Sequence, residues 1–252
     1  MTKKKHLSLA IVLLFTLNLQ SQTIINTENL MKSVDSTLSI GFGVNGDFKF
    51  GNLELYQFNI TNQIGKKFDR NLIRLLFNYE YISENNEVLA SDYTAQLRYN
   101  YSLGNNSVFS FIQSQKSRAL SLDHRNLIGG GYRHNFYKKD ENYFDLSVGV
   151  FYENELYLKN TDEELMVDNY RLSLSSFFMF TVSKKSFITT SIYYQINTDN
   201  IEDTRLFIEP RWYYDFNNIA VYITTQIRHH TTPYIDIKKT DSELLVGLEF
   251  NL

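Results

Sequence analysis

The last nine residues constrain this chain more than any other segment. Leu244, Val246, Leu248, Phe250 and Leu252 are apolar at every second position. Successive side chains of a strand point to opposite faces, so this period builds one apolar face, whereas a helix would scatter the same residues around its axis. The other face carries Asp241, Glu243, Gly247, Glu249 and Asn251, with Leu245 as the exception. Ending on such a strand suits a closed transmembrane barrel, in which the last strand must pair with the first.

The start of the chain points the same way. Lys3, Lys4 and Lys5 precede an apolar stretch, Leu7 to Leu19, that Thr16 and Asn18 interrupt. This is the pattern of a secretory signal peptide, expected over residues 1–21 with cleavage after Ser21, and it falls short of the roughly 20 apolar residues of a membrane helix. Removing three lysines takes the formal charge from −3 to −6. That mild acidity argues against a nucleic-acid partner. With no Cys, the chain has neither disulfides nor thiolate metal sites. No later apolar run approaches 20 residues, which excludes a helical membrane protein. The 18 Tyr and 19 Phe against only 2 Pro favour strands over helices.

Residues 22–35 show no clear period and read as a short periplasmic lead-in. From Ser36 to the end, residues 36–252, period-two segments recur twelve times. Leu38, Ile40, Phe42 and Val44 oppose Gly41, Gly43, Asn45 and Asp47; Ile73, Leu75, Phe77, Tyr79 and Tyr81 oppose Arg74, Asn78 and Glu80. Tyr93, Ala95, Leu97 and Tyr99 oppose Thr94, Gln96, Arg98 and Asn100, and Phe144, Leu146, Val148 and Val150 oppose Asp145, Ser147, Gly149 and Glu153. Near Ser107 to Gln115, Phe109 and Phe111 compete with Val108 and Ile112 for the apolar face, which leaves the register there open.

Twelve is an even number, as an up-and-down barrel with both termini on the periplasmic side requires. Connections at Lys66 to Asp69, Gly104 to Asn106, Tyr137 to Asn142, Ser183 to Lys185 and Asp215 to Asn218 are compact. Those at Ser83 to Ser91, Lys116 to Arg125, Tyr157 to Val167 and Thr231 to Lys239 read as longer loops, the asymmetry of an outer-membrane barrel. Tyr99, Tyr101, Phe136, Phe144, Phe180, Trp212, Tyr214 and Phe250 fall at the short-turn ends of strands, and Tyr79, Tyr81, Tyr93, Tyr152, Tyr170 and Tyr194 at the other ends. Two interfacial aromatic girdles are expected from this placement. A soluble sheet protein would use the same aromatics as a core; the export signal, the apolar terminus and the girdles favour the barrel. Pro210 sits mid-strand, where it removes a ladder hydrogen bond, so a bulge is expected near Glu209 to Arg211.

Phe109, Ser110 and Phe111, then Gln113, Arg118, Leu122 and Arg125, then Gly129, Gly130, Gly131 and Tyr132, continue into Tyr143 to Glu155. This order of an aromatic-rich strand, a loop with spaced Arg and Leu, and a Gly-rich strand resembles the domain of unknown function 481 family, described as salt-induced outer-membrane proteins. The resemblance is most specific over residues 107–156. It implies an outer-membrane barrel without an established activity and imports no catalytic site. Two features depart from the family pattern: its strand-pair signature is reduced here to Gly46-Asp47 and Gly51-Asn52, and Leu252 stands where Phe usually closes the last strand.

The polar strand faces supply the candidate functional residues: Arg74, Glu80, Arg98, Arg133, Arg171, Arg205, Glu209, Arg211, Arg228, Glu243 and Glu249. A twelve-stranded lumen is narrow enough for these side chains to meet, and buried charges are costly unless paired, so a mutually satisfied network that plugs the lumen is expected. A solute-conducting or ligand-binding lumen is the alternative. His229, with Ser242 roughly across the last hairpin and Asp236 or Asp241 nearby, would suit a lipid esterase or deacylase, but no motif of such enzymes surrounds them. His124 beside Asp123, and the His229 and His230 pair, read as solvated loop residues, since neighbours on a strand face opposite sides and cannot chelate together. Gly129 to Gly131 lie within a strand and form no phosphate loop; lumen space or curvature is their expected use.

The sequence therefore leads to an all-β, transmembrane, antiparallel up-and-down barrel of about twelve strands in the bacterial outer membrane, without enzymatic activity, cofactor or metal. Small-solute passage or an envelope stress response is the expected role; a lipid-modifying enzyme and an adhesin or receptor displaying its loops are the competitors. Its expected partners are outer-membrane lipid and the barrel-assembly machinery, reached through the C-terminal strand, and the expected state is a monomer.

Overall fold

The structure is a computed structural model that describes residues 38–49, 55–118, 120–160, 163–216 and 219–251. The expected signal peptide and lead-in lie outside the described residues. Twelve strands follow one another: β1 (Leu38–Lys49), β2 (Leu55–Phe68), β3 (Asn71–Glu84), β4 (Glu87–Leu103), β5 (Asn106–Ser117), β6 (Leu122–Lys139), β7 (Asn142–Asn160), β8 (Glu163–Ser183), β9 (Ser186–Asn197), β10 (Thr204–Asp215), β11 (Ile219–His230) and β12 (Thr240–Asn251). Each pairs antiparallel with its sequence neighbours, and β12 pairs with β1 to close the barrel. Closure leaves no strand edge, so inter-strand hydrogen bonds can satisfy the backbone where the wall meets lipid. The seam runs from Gly41 opposite Asn251 to Val44 opposite Leu248.

Hairpin chemistry explains the up-and-down path. Phe68 and Asn71 are joined through Asp69, whose φ is +50°, and Leu103 and Asn106 through Gly104, at +67°. Asn85 and Asn86 have φ of +47° and +67°, the two left-handed residues that a two-residue primed turn needs. Asn and Asp tolerate that region because their short side chains bond locally.

The alternation sets the faces. Ile64, Leu75, Leu97, Ile112, Ile128, Val148, Leu174, Val246 and Leu248 are exposed and point outward from the closed wall. So continuous an apolar belt would be a liability in water and is what a lipid-facing surface requires. Aromatics border it. Phe136, Phe144 and Phe178 stack at centroid separations of 5.7 and 4.6 Å near the short-turn rim. Tyr152 and Tyr170 meet at 5.4 Å near the other rim. The open register of β5 resolves with Val108 and Ile112 outward; Phe109 lies inside, over Gly131 and Gly149.

Two expectations are corrected. Three of the four expected long loops are largely strand: β3 and β4 run on to Glu84 and Glu87, β5 and β6 to Ser117 and Leu122, and β7 and β8 to Asn160 and Glu163. With 19 and 21 residues, β7 and β8 exceed the 9–11 or so that cross a bilayer, and they project as a hairpin beyond the rim where β9 ends at Asn197 opposite Arg171. No bulge forms at Pro210. The β9 pairing is continuous through Glu209 and Pro210, and the β10–β11 register is the same on either side of them. The missing N–H therefore leaves a gap toward β11 alone, where the Thr224 hydroxyl donates to the Pro210 carbonyl at 3.0 Å.

Candidate functional site in the barrel lumen

All eleven sequence-predicted polar residues point into the barrel, where they form several separate groups. The largest group, at the extracellular end, joins Arg171 and Arg205 to residues absent from the sequence expectation. Arg125 donates to Glu153 at 2.6 Å from Nη2, and its Nε lies 2.9 Å from Glu155. Arg205 reaches Glu153 and Glu155 at 3.1 Å each. Arg171 donates to Glu153 and, at 2.5 Å, to Asp203. Arg125, Arg171, Arg205, Glu153, Glu155 and Asp203 are each no more than 2% exposed. Three guanidiniums thus meet three carboxylates in an enclosed cluster that is neutral as built.

The connection between β11 and β12 ties into this cluster from above. Tyr234 donates to Asp203 at 2.7 Å and accepts from Arg171 at 3.0 Å and from Asn169 at 2.9 Å. Ile235 and Ile237 pack with it against Leu120, Leu122 and Tyr157 on the inner side of the projecting wall, a cluster that Leu165 and Val167 also flank. The loop thus reaches from β11 across to β6, β7 and β8 and covers that side of the mouth. Burial alone would raise the Asp203 carboxyl, but hydrogen bonds from His230, Arg171 and Tyr234 and the Arg171 charge outweigh it and hold Asp203 well below the usual carboxylate range. The Tyr234 phenol is pushed up to about 12, first by burial and then by its hydrogen bond to Asp203, against the opposing Arg205 charge.

The other predicted residues lie elsewhere in the lumen. Arg211 contacts Glu209 at 2.7 Å and Tyr213 at 3.1 Å, and Tyr213 donates to Glu249 at 3.1 Å. This group sits beside a cluster of Met179, Phe187, Tyr213, Ala220 and Tyr222 near the periplasmic rim. Gly247 is required there, because a Cβ would stand 2.5 Å from the Tyr222 ring. Arg228 faces Glu243 at 3.5 Å, and Glu80 accepts from Gln57 at 3.5 Å. Arg74 and Arg98 both donate to Asn100, at 2.9 and 3.3 Å, and Arg98 stacks over Phe109 at 4.1 Å. Arg133 donates to Ser147 at 3.2 Å and lies over the Phe177 ring at 4.2 Å.

Of the cluster members outside the sequence expectation, Glu153 has the inward parity on its strand, Arg125 falls at the end of an expected loop, and Asp203 lies in a true loop outside every period. His230 is corrected from a solvated loop residue to a buried one, bonded to Asp203 at 2.7 Å. His124 is likewise in β6, bridging Asp123 at 3.3 Å and Asn154 at 3.1 Å on the outer wall. The expected approach of His229 and Ser242 is also corrected: Thr240 stands opposite His229 at 2.7 Å, and Ser242 is opposite Ile227. Among the described residues no group of three or more potential metal ligands converges.

The lumen is not uniformly filled. The inward residues Asn59, Thr61, Asn78 and Glu80 on β2 and β3, and Glu243 and Leu245 on β12, are only partly buried, while those of β6 to β10 around the ionic cluster are almost all buried.

A closed antiparallel barrel with an apolar outer belt, two aromatic borders and a charged lumen defines a bacterial outer-membrane β-barrel protein. The sequence model described as "Protein of unknown function, DUF481" matches residues 40–252, and the chain belongs to that family. Among solved structures the fold is similar to that of the NanC porin, with a TM-score of 0.51 at 10% identity, covering 85% of this chain and 100% of that one. The KdgM porin gives 0.46 at 12% identity, with 85% and 99% covered. The translocator domain of the autotransporter NalP from Neisseria meningitidis gives 0.41 at 11%, with 85% and 87% covered. No curated protein matches the sequence.

Proposed function

We propose that this barrel is non-enzymatic and passes small polar solutes across the outer membrane through the part of its lumen that the ionic cluster leaves free. The observation that carries this reading is the uneven burial of the inner wall. On β2, β3 and β12 inward side chains keep some access to water, and apart from Leu245 they are short amides and hydroxyls or charged groups. The cluster of Arg125, Glu153, Glu155, Arg171, Arg205 and Asp203 then acts as a fixed partition that narrows the path, held shut by Tyr234 and the loop above it. A size limit follows, since twelve strands enclose a small lumen and the ionic cluster takes up part of it. The absence of an aligned His and Ser on the last hairpin removes the motive for an esterase.

Proteoliposome swelling in a size series tests the reading. Vesicles containing the refolded protein should admit glycerol and other small neutral solutes while excluding disaccharides. Swelling no faster than that of protein-free vesicles in every solute would refute it.

A further inference from the structure

The wall closes fully only over the periplasmic part of its seam. There β1 and β12 pair Gly41 with Asn251, Phe42 with Phe250, Gly43 with Glu249 and Val44 with Leu248. The same progression would next bring Asn45 to Gly247, Gly46 to Val246 and Asp47 to Leu245, but among the described residues no pairing of β1 with β12 continues beyond Val44 and Leu248. Both strands nevertheless run on. β1 stays paired with β2 as far as Lys49 opposite Leu55, and β12 is paired with β11 from Thr240 opposite His229. Residues 45–49 and 240–247 therefore have one neighbouring strand each, and their two free edges flank the extracellular half of the seam.

The depth of this opening decides what can fill it. Leu244 and Val246, 53% and 59% exposed, point outward beside it and belong to the apolar belt. A strand edge facing hydrocarbon leaves its N–H and C=O groups unmatched, and such edges persist in a membrane only where they line water or meet polar groups. Water has access from behind. Glu243 and Leu245 on β12, Asn59 and Thr61 on β2, and Asn78 and Glu80 on β3 are inward side chains that are only partly buried. Leu245 is the one large apolar residue on the inner face of β12, out of place in a sealed polar lumen but suited to the lip of an opening that admits an alkyl chain.

The charges behind the opening select a head group. Glu80 is within electrostatic reach of Glu243, Asp92 and Arg228, and Asp241 lies one inward position from Glu243. Arg228, the guanidinium of this set, already faces Glu243 at 3.5 Å. An anionic head would meet more carboxylate than Arg228 could offset, whereas a cationic head would be attracted. A peptide strand suits the edge less well, because Asp47 and Lys49 put charges on the β1 edge, which discourages strand addition.

We propose that the extracellular half of the β1–β12 seam is a lateral portal for a single-chain amphiphile of the bilayer, whose ammonium-bearing head rests in the lumen beside Glu80 and Glu243 while its alkyl chain passes Leu245 between the two edges. The portal opens sideways, so it goes beyond passage from one face of the membrane to the other and does not depend on it.

The chain has no Cys, so introduced cysteine pairs report the seam directly. Val44→Cys with Leu248→Cys, and Gly46→Cys with Val246→Cys, occupy outward positions two residues apart in the same alternation. After refolding in phosphatidylcholine vesicles and oxidation, the first pair is expected to form its disulfide and the second to do so at least about tenfold more slowly, because Cα atoms more than about 7 Å apart cannot be bridged without backbone movement. Equal rates overturn the portal. The occupant is read from Leu245→Cys in lipid nanodiscs, labelled with a water-soluble maleimide, with the heat-modifiable gel shift of a folded barrel as the folding control. Dodecyltrimethylammonium is expected to slow labelling several-fold, while dodecyl sulfate and tetramethylammonium leave it unchanged. Labelling that none of the three slows, that all three slow, or that both dodecyl compounds slow alike overturns the amphiphile. Should Leu245→Cys fail to fold, Asn59→Cys, opposite Asn45 on the inner wall, is measured in the same way with the same outcomes. An open seam in vesicles that admit no solute leaves the portal standing while passage fails, and a closed seam in vesicles that swell does the reverse.

Discussion

Replacing Glu153 by alanine should be among the most damaging single changes in this barrel. Its carboxylate accepts from Arg125 at 2.6 Å, from Arg205 at 3.1 Å and from Arg171, at 0% exposure. Glu153→Ala leaves Arg125, Arg171 and Arg205 facing only Glu155 and Asp203, an uncompensated positive charge shut away from water. Removing one partner from a buried ion pair costs about 3–5 kcal/mol. With a urea slope of about 2 kcal/mol per molar, the unfolding midpoint should fall by about 1.5–2.5 M. The assay is urea unfolding of the refolded protein in lipid vesicles, followed by tryptophan fluorescence from Trp212 and by the gel shift of the folded barrel. The double variant Glu153→Ala with Arg171→Ala restores neutrality and should lose less than the sum of its parts, because the two groups share one network. A loss in Glu153→Ala below about 1 kcal/mol would mean that water screens the cluster as it screens a surface pair, and would refute the reasoning.

Three further outcomes are expected. Tyr234→Phe removes the hydroxyl that links Asp203, Arg171 and Asn169, so limited proteolysis should cut within 231–239 several-fold faster while the barrel wall stays intact; an unchanged rate contradicts the tether. The Asp203 carboxyl is lowered, so its contribution is fully present above the ordinary value of about 3.9 and is lost only as pH falls through the lower folded value. Pepsin should therefore leave the 231–239 loop uncut near pH 4 and begin to cut it in more acid solution. Asp203→Asn should remove that pH dependence, and cutting of wild type that begins in the ordinary carboxylate range would contradict it. Gly131→Ala places a Cβ 2.2 Å from the Val148 carbonyl and should destabilise the barrel by about 3 kcal/mol or more, seen as a lower refolding yield.

The inside and outside of the membrane wall were legible because a period of two is a property of the sequence itself. Even the ambiguous β5 had only two solutions, and Gly131 and Gly149 favour the observed one by leaving room for the Phe109 ring on the inner wall. The projecting hairpin was not legible, for a physical reason. Beyond Tyr152 and Tyr170 the outer face meets water and the inner face meets the β11–β12 loop. Asn154 and Asp168 therefore turn outward, bonded at 2.9 Å, while Tyr157, Leu165 and Val167 turn inward into the apolar cluster that Ile235 and Ile237 also join. Polarity inverts along a continuous strand, and the inversion reads as a loop. Arg125 and Glu155 were missed with it, since both lie where the projecting wall begins. Pro210 misled in the other direction: one missing donor suggested a bulge, but the loss falls on a single neighbour, and a hydroxyl compensates the carbonyl side.

The central claim is a lumen divided between a neutral ionic partition and a narrow polar path, and single-channel recording in planar bilayers tests it most directly. The account predicts a small, steady conductance for wild type that rises when Glu153, Glu155 and Arg205 are replaced together by alanine in a variant that still folds. A wild-type barrel with no conductance, or one whose conductance is large and indifferent to those three residues, would contradict it.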